Sequence, residues 1–445
     1  MTSSILTESS PLCIFPLPIG VTIKWRTMGK NKSVIVIGGG IVGLSTAYFL
    51  HKEGHKVTVL DKSDISAGAS FVNAGYLTPS HIISLASPGM ITQGIKYMFN
   101  SSSPFYMKPR WDIDFIKWAW YFKKSSTKTK VEKAMPVIRD INLLSRELFE
   151  GIQASGDLGH FEIGNQGLLM MFQTDKARDH EMEVVEKGKE LGLYGRLLTK
   201  QELQDLQPDI AINAKGAILW ECDRHTTPPL IMKNLLDYLM RSGVDVRKNE
   251  GVSDLSVVGK RITEVRTEQG AYSADEIVLA AGSWTSQLSK KTRIKLPLQA
   301  GKGYRINMEE PTNITLPAIL MEKKIAVTPM EGFTRFAGTM EFSGINHTIR
   351  KERVEAIAKG VESYYEGLRI PEKAKADAKC GLRPVSPDGL PYIGKIKDMD
   401  NLTIATGHAM MGWSLGPATG KLVTEMISGQ ELSMGIGPFD PQRKF

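Results

Sequence analysis

Short unbroken apolar runs alternate with stretches of helical period along most of this chain. Val34-Ile-Val-Ile37 is four β-branched residues without a polar interruption, the pattern of a strand buried on both faces. A helix follows through Leu44, Ala47, Tyr48 and Leu50, with Gly54 as its stop, and Lys56-Val-Thr-Val-Leu60 is a second strand. Ile138, Ile141, Leu144 and Leu148 predict a helix over 131–155, and a charged helix spans 175–191. Gly167–Phe172 reads as a strand and 201–208 as a short helix closed by Pro208. Thr227-Pro-Pro229 opens a helix through Met240, since proline near the first turn gives up no needed N–H. Val244–Val246 is a short strand, and 252–258 with 262–267 form a hairpin around Gly259-Lys260. Glu276–Trp284 is another buried strand, ending in small residues. Between 296 and 345 polar and apolar positions alternate in Tyr304–Met308, Ile325–Val327 and Phe333–Ala337, as in antiparallel strands. An amphipathic helix over 350–368, a strand at Asn401–Ala405 and a last helix complete the pattern.

The chemistry gathers at the first turn. Gly38, Gly40 and Gly43 give GxGxxG between the first strand and its helix. Gly38 allows the tight turn, Gly40 lets backbone approach a pyrophosphate, and Gly43 lets helix and strand pack closely. The helix start, at Ile41 and Val42, aims N–H groups and a partial positive charge at phosphate. Asp61 ends the second strand, where a carboxylate can accept from ribose hydroxyls, with Lys62 beside it. Strand, glycine turn, helix, strand and acid in this order predict a bound dinucleotide. FAD is favoured over NAD for three reasons. Gly407-His-Ala-Met-Met-Gly-Trp-Ser414 aims a second helix start at a ligand. Asp388-Gly389 sits in a proline-braced turn able to present amides. No regular series of βαβ units follows the first; instead the chain enters a small-residue loop over 66–79.

Length and composition set the frame. At 445 residues the chain exceeds one core, and 42% hydrophobic with 23% charged residues is ordinary for a soluble globular protein. The expected fold is α/β: a Rossmann-type FAD-binding domain, with an interleaved α+β substrate domain built on an antiparallel sheet. The FAD-binding domain takes 28–85, 217–295 and 375–445; the substrate domain takes 86–216 and 296–374. Residues 1–27 hold three prolines and no helical period, and read as a disordered extension or a mis-assigned start, with Met28 a sensible first residue. They lack the basic start and unbroken apolar segment of a secretory signal. Three widely spaced cysteines argue against a disulfide framework or a metal site and for a reducing, cytoplasmic setting. Net charge is +8, which suits anionic substrates or acidic membrane surfaces. No nucleic-acid-binding motif is present. An aromatic stretch from Trp111 to Phe122 runs into Lys123, Lys124, Lys128 and Lys130. A core helix followed by a solvated loop is the simpler reading; peripheral attachment to the inner face of the plasma membrane is the other.

The segments VIVIGGGIVGLSTAYFL, NAGYLTPS, GIKYMF, GKGYRI, KIAVTPM, CGLRPVSPDGLPYIG and TGHAMMGWSLGPATGKLVTEMISG carry a resemblance. With them the chain resembles the glycine/D-amino acid oxidase superfamily of FAD enzymes, and within it most the bacterial D-amino acid dehydrogenase small-subunit family, from about residue 33 to 430. The resemblance implies FAD-dependent oxidative deamination of a D-amino acid, with electrons passed to a quinone or other membrane carrier. An oxidase or dehydrogenase of sarcosine, glycine or D-hydroxyproline is the alternative, and a non-catalytic flavin-binding partner or an NAD dehydrogenase are further ones. Arg383 occupies the position whose guanidinium grips the substrate carboxylate. Tyr304 lies on a strand expected to roof the flavin, and His408 heads the flavin-facing helix. Cofactor contacts are expected from Asn73, Ala74, Gly75 and Leu77 in the small-residue loop, from Val252, Ala281, Gly282 and Trp284, and from Gly381, Gly407, His408, Gly412, Trp413 and Ser414. His225 reads as a loop histidine in competition with an active-site role. Cys380 reads as an inert buried thiol, with covalent flavin attachment as its competing role.

Overall fold

The computed structural model describes residues 31–88, 105–108 and 110–445. Residues 1–27 and the GIKYMF segment lie outside them. Six strands form one sheet, in the spatial order Asp245–Arg247, Lys56–Leu60, Ser33–Ile37, Glu276–Leu279, Leu402–Thr406 and Tyr392–Lys395. The first five are parallel and the last is antiparallel to its neighbour. Three separate stretches of chain thus meet in one sheet. The helix Ile41–Lys52 carries His51 and Lys52 in its last turn, where they complement the helix dipole. It packs against the last helix, Gly416–Ser428; a Cβ at Gly420 would strike the Ser45 backbone, so glycine sets how near the two axes come.

The second sheet has nine strands. Its main path runs Lys379–Val385, Gln299–Met308, Phe333–Phe342, Ile325–Met330, Ala318–Leu320, Leu168–Phe172, Gly216–Trp220 and Gly195–Thr199, and Phe105–Met107 joins at Phe333–Phe342. It is antiparallel except where Ala318–Leu320 meets Leu168–Phe172 and where Phe105–Met107 meets Phe333–Phe342. Two of these strands move relative to the expected boundaries. Gly216–Trp220, expected to open the second nucleotide-binding piece, pairs with Leu168–Phe172 and Gly195–Thr199. Lys379–Val385, expected in the third piece, pairs with the strand Gln299–Met308 through its residues Gln299–Arg305. Both are short apolar runs, and such a run is compatible with either sheet until its partners are known.

The long helix spans Lys128–Ser155, three residues earlier than its apolar spacing suggested, because Thr127 caps it by accepting from the Lys130 N–H. The helix Ile113–Ser125 is capped by Asp112, which accepts from the N–H groups of Asp114 and Phe115. The hairpin of Val252–Val258 and Arg261–Thr267 forms as its turn residues predict.

Candidate active site: a cleft between the two sheets

One cleft of about 570 Å³ runs between the parallel sheet and the antiparallel one. At one end lie Asp61, Lys62, Gly251 and Val252. Gly38, Gly39, Gly40, Ile41, Val42 and Ser70 line its middle. Gly381, Arg383, His408, Gly412 and Trp413 line the far end.

The first end follows the sequence logic. Gly38 has φ +117°, a conformation that a side chain resists, and a Cβ there would also strike the Ala280 carbonyl. The Asp61 carboxylate is held in place: it accepts from the Gly39 N–H at 2.6 Å and from the Ser63 N–H and hydroxyl at 2.8 and 2.6 Å. The helix start at Gly40 has no side-chain cap. Ser70 reaches across to accept from the Ile41 N–H at 2.9 Å. The Lys62 ammonium lies 3.4 Å from the centroid of the Trp284 ring, and His347 stacks near-parallel on that ring, with centroids 6.2 Å apart.

Arg383 is the cation at the far end. Its side chain is partly buried and lines the cleft, and loss of solvent around it pushes its pKa down to about 10. No carboxylate pairs with it among the described residues. Nη1 donates to the Thr339 carbonyl at 2.9 Å and lies 3.9 Å from the Met340 sulfur. That carbonyl is aimed by an irregularity. Thr339 has φ +66°, an outlier for a β-branched residue, where the pairing of Gln299–Met308 with Phe333–Phe342 slips register between Lys302 and Tyr304. The guanidinium then lies over Gly303, whose missing side chain leaves it room.

A cleft with a phosphate-turn at its middle, a held carboxylate at one end and, at the other, a cation with no carboxylate partner among the described residues accommodates an extended dinucleotide beside an anion. The chain matches the model of the DAO family, FAD dependent oxidoreductases, over residues 33–426. The chain belongs to the DAO family of FAD-dependent oxidoreductases. It is 30% identical over 398 residues to a D-amino acid dehydrogenase of Helicobacter pylori, covering 89% of this chain and 95% of the relative. It is also 30% identical over 409 residues to a D-amino acid dehydrogenase of Neisseria gonorrhoeae, covering 89% and 96%. The crystal structure of glycine oxidase from Geobacillus kaustophilus superposes with a TM-score of 0.74 at 20% identity, over 93% of this chain and 99% of that one. FAD is the cofactor of this DAO-family enzyme.

The cleft brings together many of the residues read from the sequence. Gly38, Gly40, Ile41, Val42, Asp61, Lys62, Asn73, Val252, Ala281, Gly282, Trp284, Gly381, Arg383, His408, Gly412 and Trp413 all line it. Gly43 acts one step back: a Cβ there would collide with the Gly38 carbonyl, so it sets the helix against the strand.

Several others are placed elsewhere. Tyr304 does not face the cleft. Gly303 does, and side chains alternate along a strand, so Tyr304 points to the opposite face. There its hydroxyl donates to Glu341 at 2.8 Å, beside buried Lys302 and Arg353, which pair with the same carboxylate at 3.1 and 3.0 Å. Ala74, Gly75, Leu77, Gly407 and Ser414 stand behind the wall. Ala74 offers its carbonyl to Thr328, Leu77 is core, and Ser414 donates to Asn142 at 2.6 Å. Gly75 and Gly407 have positive φ, and a Cβ on either would meet Thr226 or Tyr392. Asp388 does not present its turn to the cleft; Arg443 grips it by two bonds of 2.7 and 2.8 Å. His225 packs over Gly164, and burial pushes its pKa down to about 4. The Cys380 thiol donates to the His347 carbonyl, and burial raises its pKa, as for an unreactive thiol.

His408 lines the cleft, but as a neutral ring. Burial drives its pKa down to about 3, and Nε2 is hydrogen-bonded to the Thr419 hydroxyl at 2.9 Å. It carries no exchangeable charge near neutral pH.

Two contributors escaped the sequence reading. His347 sits in an irregular loop with no period to mark it. Arg335 is fully buried in a strand; its Nη1 donates to the carbonyls of Phe71 and Asn73 at 2.9 and 2.7 Å, so the antiparallel sheet clamps the small-residue loop. Tyr76 answers from that loop, donating to the carbonyls of Ala318 and Val327.

Proposed function

We propose that this enzyme oxidises D-amino acids to imino acids, which water converts to 2-oxo acids and ammonia, and passes the electrons to a quinone or another lipid-soluble respiratory carrier. The observation that carries the reading is Arg383: a partly buried guanidinium on the cleft wall with no carboxylate partner among the described residues. A guanidinium fixes a carboxylate through two parallel bonds, which sets the angle of the Cα–H bond behind it. Relatives named D-amino acid dehydrogenase, aligned over almost their whole length, support the general reaction on a D-amino acid.

When bound, FAD supplies the acceptor for the hydride that leaves Cα. The chain supplies position and charge. Asp61 and the helix start at Gly40 would hold the ribose and the phosphates. Arg383 would anchor the carboxylate, and the Thr339 carbonyl fixes the direction of the guanidinium. The uncharged His408 neither gives nor takes the amine proton, so substrate enters as the neutral amine and the proton is lost to solvent beforehand. Burial keeps water from the carboxylate–guanidinium pair, which strengthens it.

An anaerobic screen of flavin bleaching across D-, L- and N-substituted amino acids tests this. D-amino acids should bleach the flavin, and dye or quinone acceptors should restore it. Bleaching by L-amino acids or N-methyl amino acids alone refutes the substrate class. Stoichiometric hydrogen peroxide on aerobic turnover refutes the acceptor.

A further inference from the structure

We propose that the outward face of the helix Ile113–Ser125, with Trp111 at its entrance, docks on the surface of an anionic lipid bilayer. The helix has two apolar sides. Phe115, Trp118 and Phe122 are buried, and the Trp118 indole donates to the Val385 carbonyl at 2.9 Å. The opposite side is just as apolar and is exposed: Trp111 is 100% exposed, Ile113 83%, Trp120 57% and Ile116 51%. At 3.6 residues per turn, Ile116 and Trp120 each lie about 160° around the axis from Trp118, and Ile113 about 140°. A second apolar stripe therefore runs along the pole farthest from the core. The only exposed tryptophans among the described residues are these two.

Lysines flank the stripe on both sides, Lys123 on one and Lys117 with Lys124 on the other. Lys123 and Lys124 have no carboxylate partner among the described residues. The nearby acids are already engaged: Asp112 caps the helix, and Asp114 pairs with Lys290 at 2.5 Å. The face that remains is apolar along its crest and cationic along its flanks. Tryptophan favours the headgroup depth of a bilayer, and lysine stems can lie along apolar surface while their ammonium groups reach lipid phosphates. The stripe is only one helix wide, which suits shallow insertion better than the wide, well-packed apolar core of a stable protein interface. No helix among the described residues is long and apolar enough to span a membrane, so the contact is with the surface.

The docking face is mechanically close to the substrate end of the cleft. Trp118 bonds to the strand that carries Arg383, and it packs in one cluster with Met340, Val385 and Ala409. Docked through this helix, the enzyme presents that end toward the lipid. This orientation, unlike the docking itself, draws its meaning from the acceptor proposed above.

The test is co-sedimentation of the full-length holoenzyme with vesicles of phosphatidylcholine alone and with vesicles carrying one quarter phosphatidylglycerol. The enzyme should bind the second kind, and binding should weaken as salt is raised. Trp111→Ala/Trp120→Ala should lower the partition coefficient by about tenfold or more. Lys117→Gln/Lys123→Gln/Lys124→Gln should lower it on the order of 10²-fold on the anionic vesicles. Both variants should keep the thermal midpoint and the turnover of a D-amino acid with a soluble dye, because the altered side chains face outward. The dye assay separates failure of the substrate reading from failure of docking. The proposal is overturned if the wild-type enzyme ignores anionic vesicles or if the variants bind as well as it does. It is equally overturned if the tryptophan variant turns a wild-type dimer into monomers, which would give the face to a second copy of the chain.

Discussion

Replacing Gly303 with alanine probes the site through a single methyl group. Gly303 lies in the extended strand Gln299–Met308, opposite Gly381, and its backbone conformation is one that alanine adopts freely. A Cβ there would come well inside 3.0 Å of Nη1, Nη2 and Cζ of Arg383. Those atoms are the far end of a flexible side chain, so the guanidinium yields and the strand does not. Stability should therefore change by no more than about 1 kcal/mol, and the loss of unfolded-state freedom favours a small gain. The guanidinium must leave its 2.9 Å bond to the Thr339 carbonyl and with it the proposed carboxylate-binding position. Removing one partner of a buried charge pair costs about 2–5 kcal/mol; displacement without deletion belongs at the lower end, about 2–3 kcal/mol. That is on the order of 30- to 150-fold in kcat/KM, with flavin content unchanged. Arg383→Ala should lose more, and the double variant Gly303→Ala/Arg383→Ala no more than Arg383→Ala alone, since the methyl acts only through the guanidinium. Steady-state kinetics with a dye acceptor, paired with flavin absorbance, measures all three. Wild-type kcat/KM in flavin-replete Gly303→Ala, or additive losses in the double variant, refutes the placement of Arg383.

Tyr304→Phe should leave kcat and KM within about twofold while lowering stability by about 1–2 kcal/mol in denaturant titration, because the phenol serves Glu341 and not the cleft; a tenfold loss of kcat/KM would place it back at the substrate. Thr339→Gly should relieve backbone strain of about 1–3 kcal/mol at a chain-entropy cost of about 0.5–1 kcal/mol, so the thermal midpoint should hold or rise with kcat/KM intact. A fall in both would show that the side chain, and not the carbonyl, does the positioning. Asp223 is buried, accepts from the Ser80 N–H and hydroxyl at 3.1 and 2.6 Å, and has its pKa raised by burial from 3.8 to about 7. Its folded form holds a proton that the unfolded form has lost, so its contribution is full below about pH 4 and is lost as pH rises toward 7. The stability of wild type relative to Asp223→Asn should fall across that window by up to about 4 kcal/mol, and a flat difference curve would refute it.

The first strand, its helix, the second strand and Asp61 were legible because each rests on local physics: a fully apolar run, a glycine turn, an acid at a strand end. The long helix and the hairpin were legible for the same reason. Tyr304 was not. In GKGYRI the period of two says that Gly303 and Tyr304 face opposite ways, but which one faces the cleft is fixed by Arg383 and Glu341, both distant in sequence. Chemistry made the tyrosine look like the contact, and the glycine proved to be the residue at the wall. Gly216–Trp220 was misassigned on the same ground, since an apolar run does not name its sheet. Arg335 looks like any charged residue in an alternating strand. Only the pairing of the two lobes shows that it bonds Phe71 and Asn73.

Arg383, partly buried, and Arg335, fully buried, both lack a carboxylate partner among the described residues, and burial lowers their pKa to about 10 and about 9. An unpaired buried charge is costly, and carbonyl oxygens offset only part of it. At Arg335 the partners are the loop carbonyls, so that cation is structural. At Arg383 one carbonyl is engaged, and the remaining donors face a cleft that becomes electrically balanced when an anion enters. The same positive field acts on the other end of an amino acid. In the proposed reaction it would disfavour the ammonium form and lower the pKa of the bound amine, so that no protein base is needed. His408, driven to about pKa 3, has no proton to exchange in this range. For the free reactants, kcat/KM should accordingly rise with pH to a plateau whose midpoint follows the amine of the substrate. Comparing two D-amino acids of different amine pKa should shift the limb by that difference, and His408→Asn should leave the shape unchanged. A limb that stays fixed between substrates, or that vanishes in His408→Asn, would assign the titration to the protein and refute the division of labour between guanidinium and imidazole.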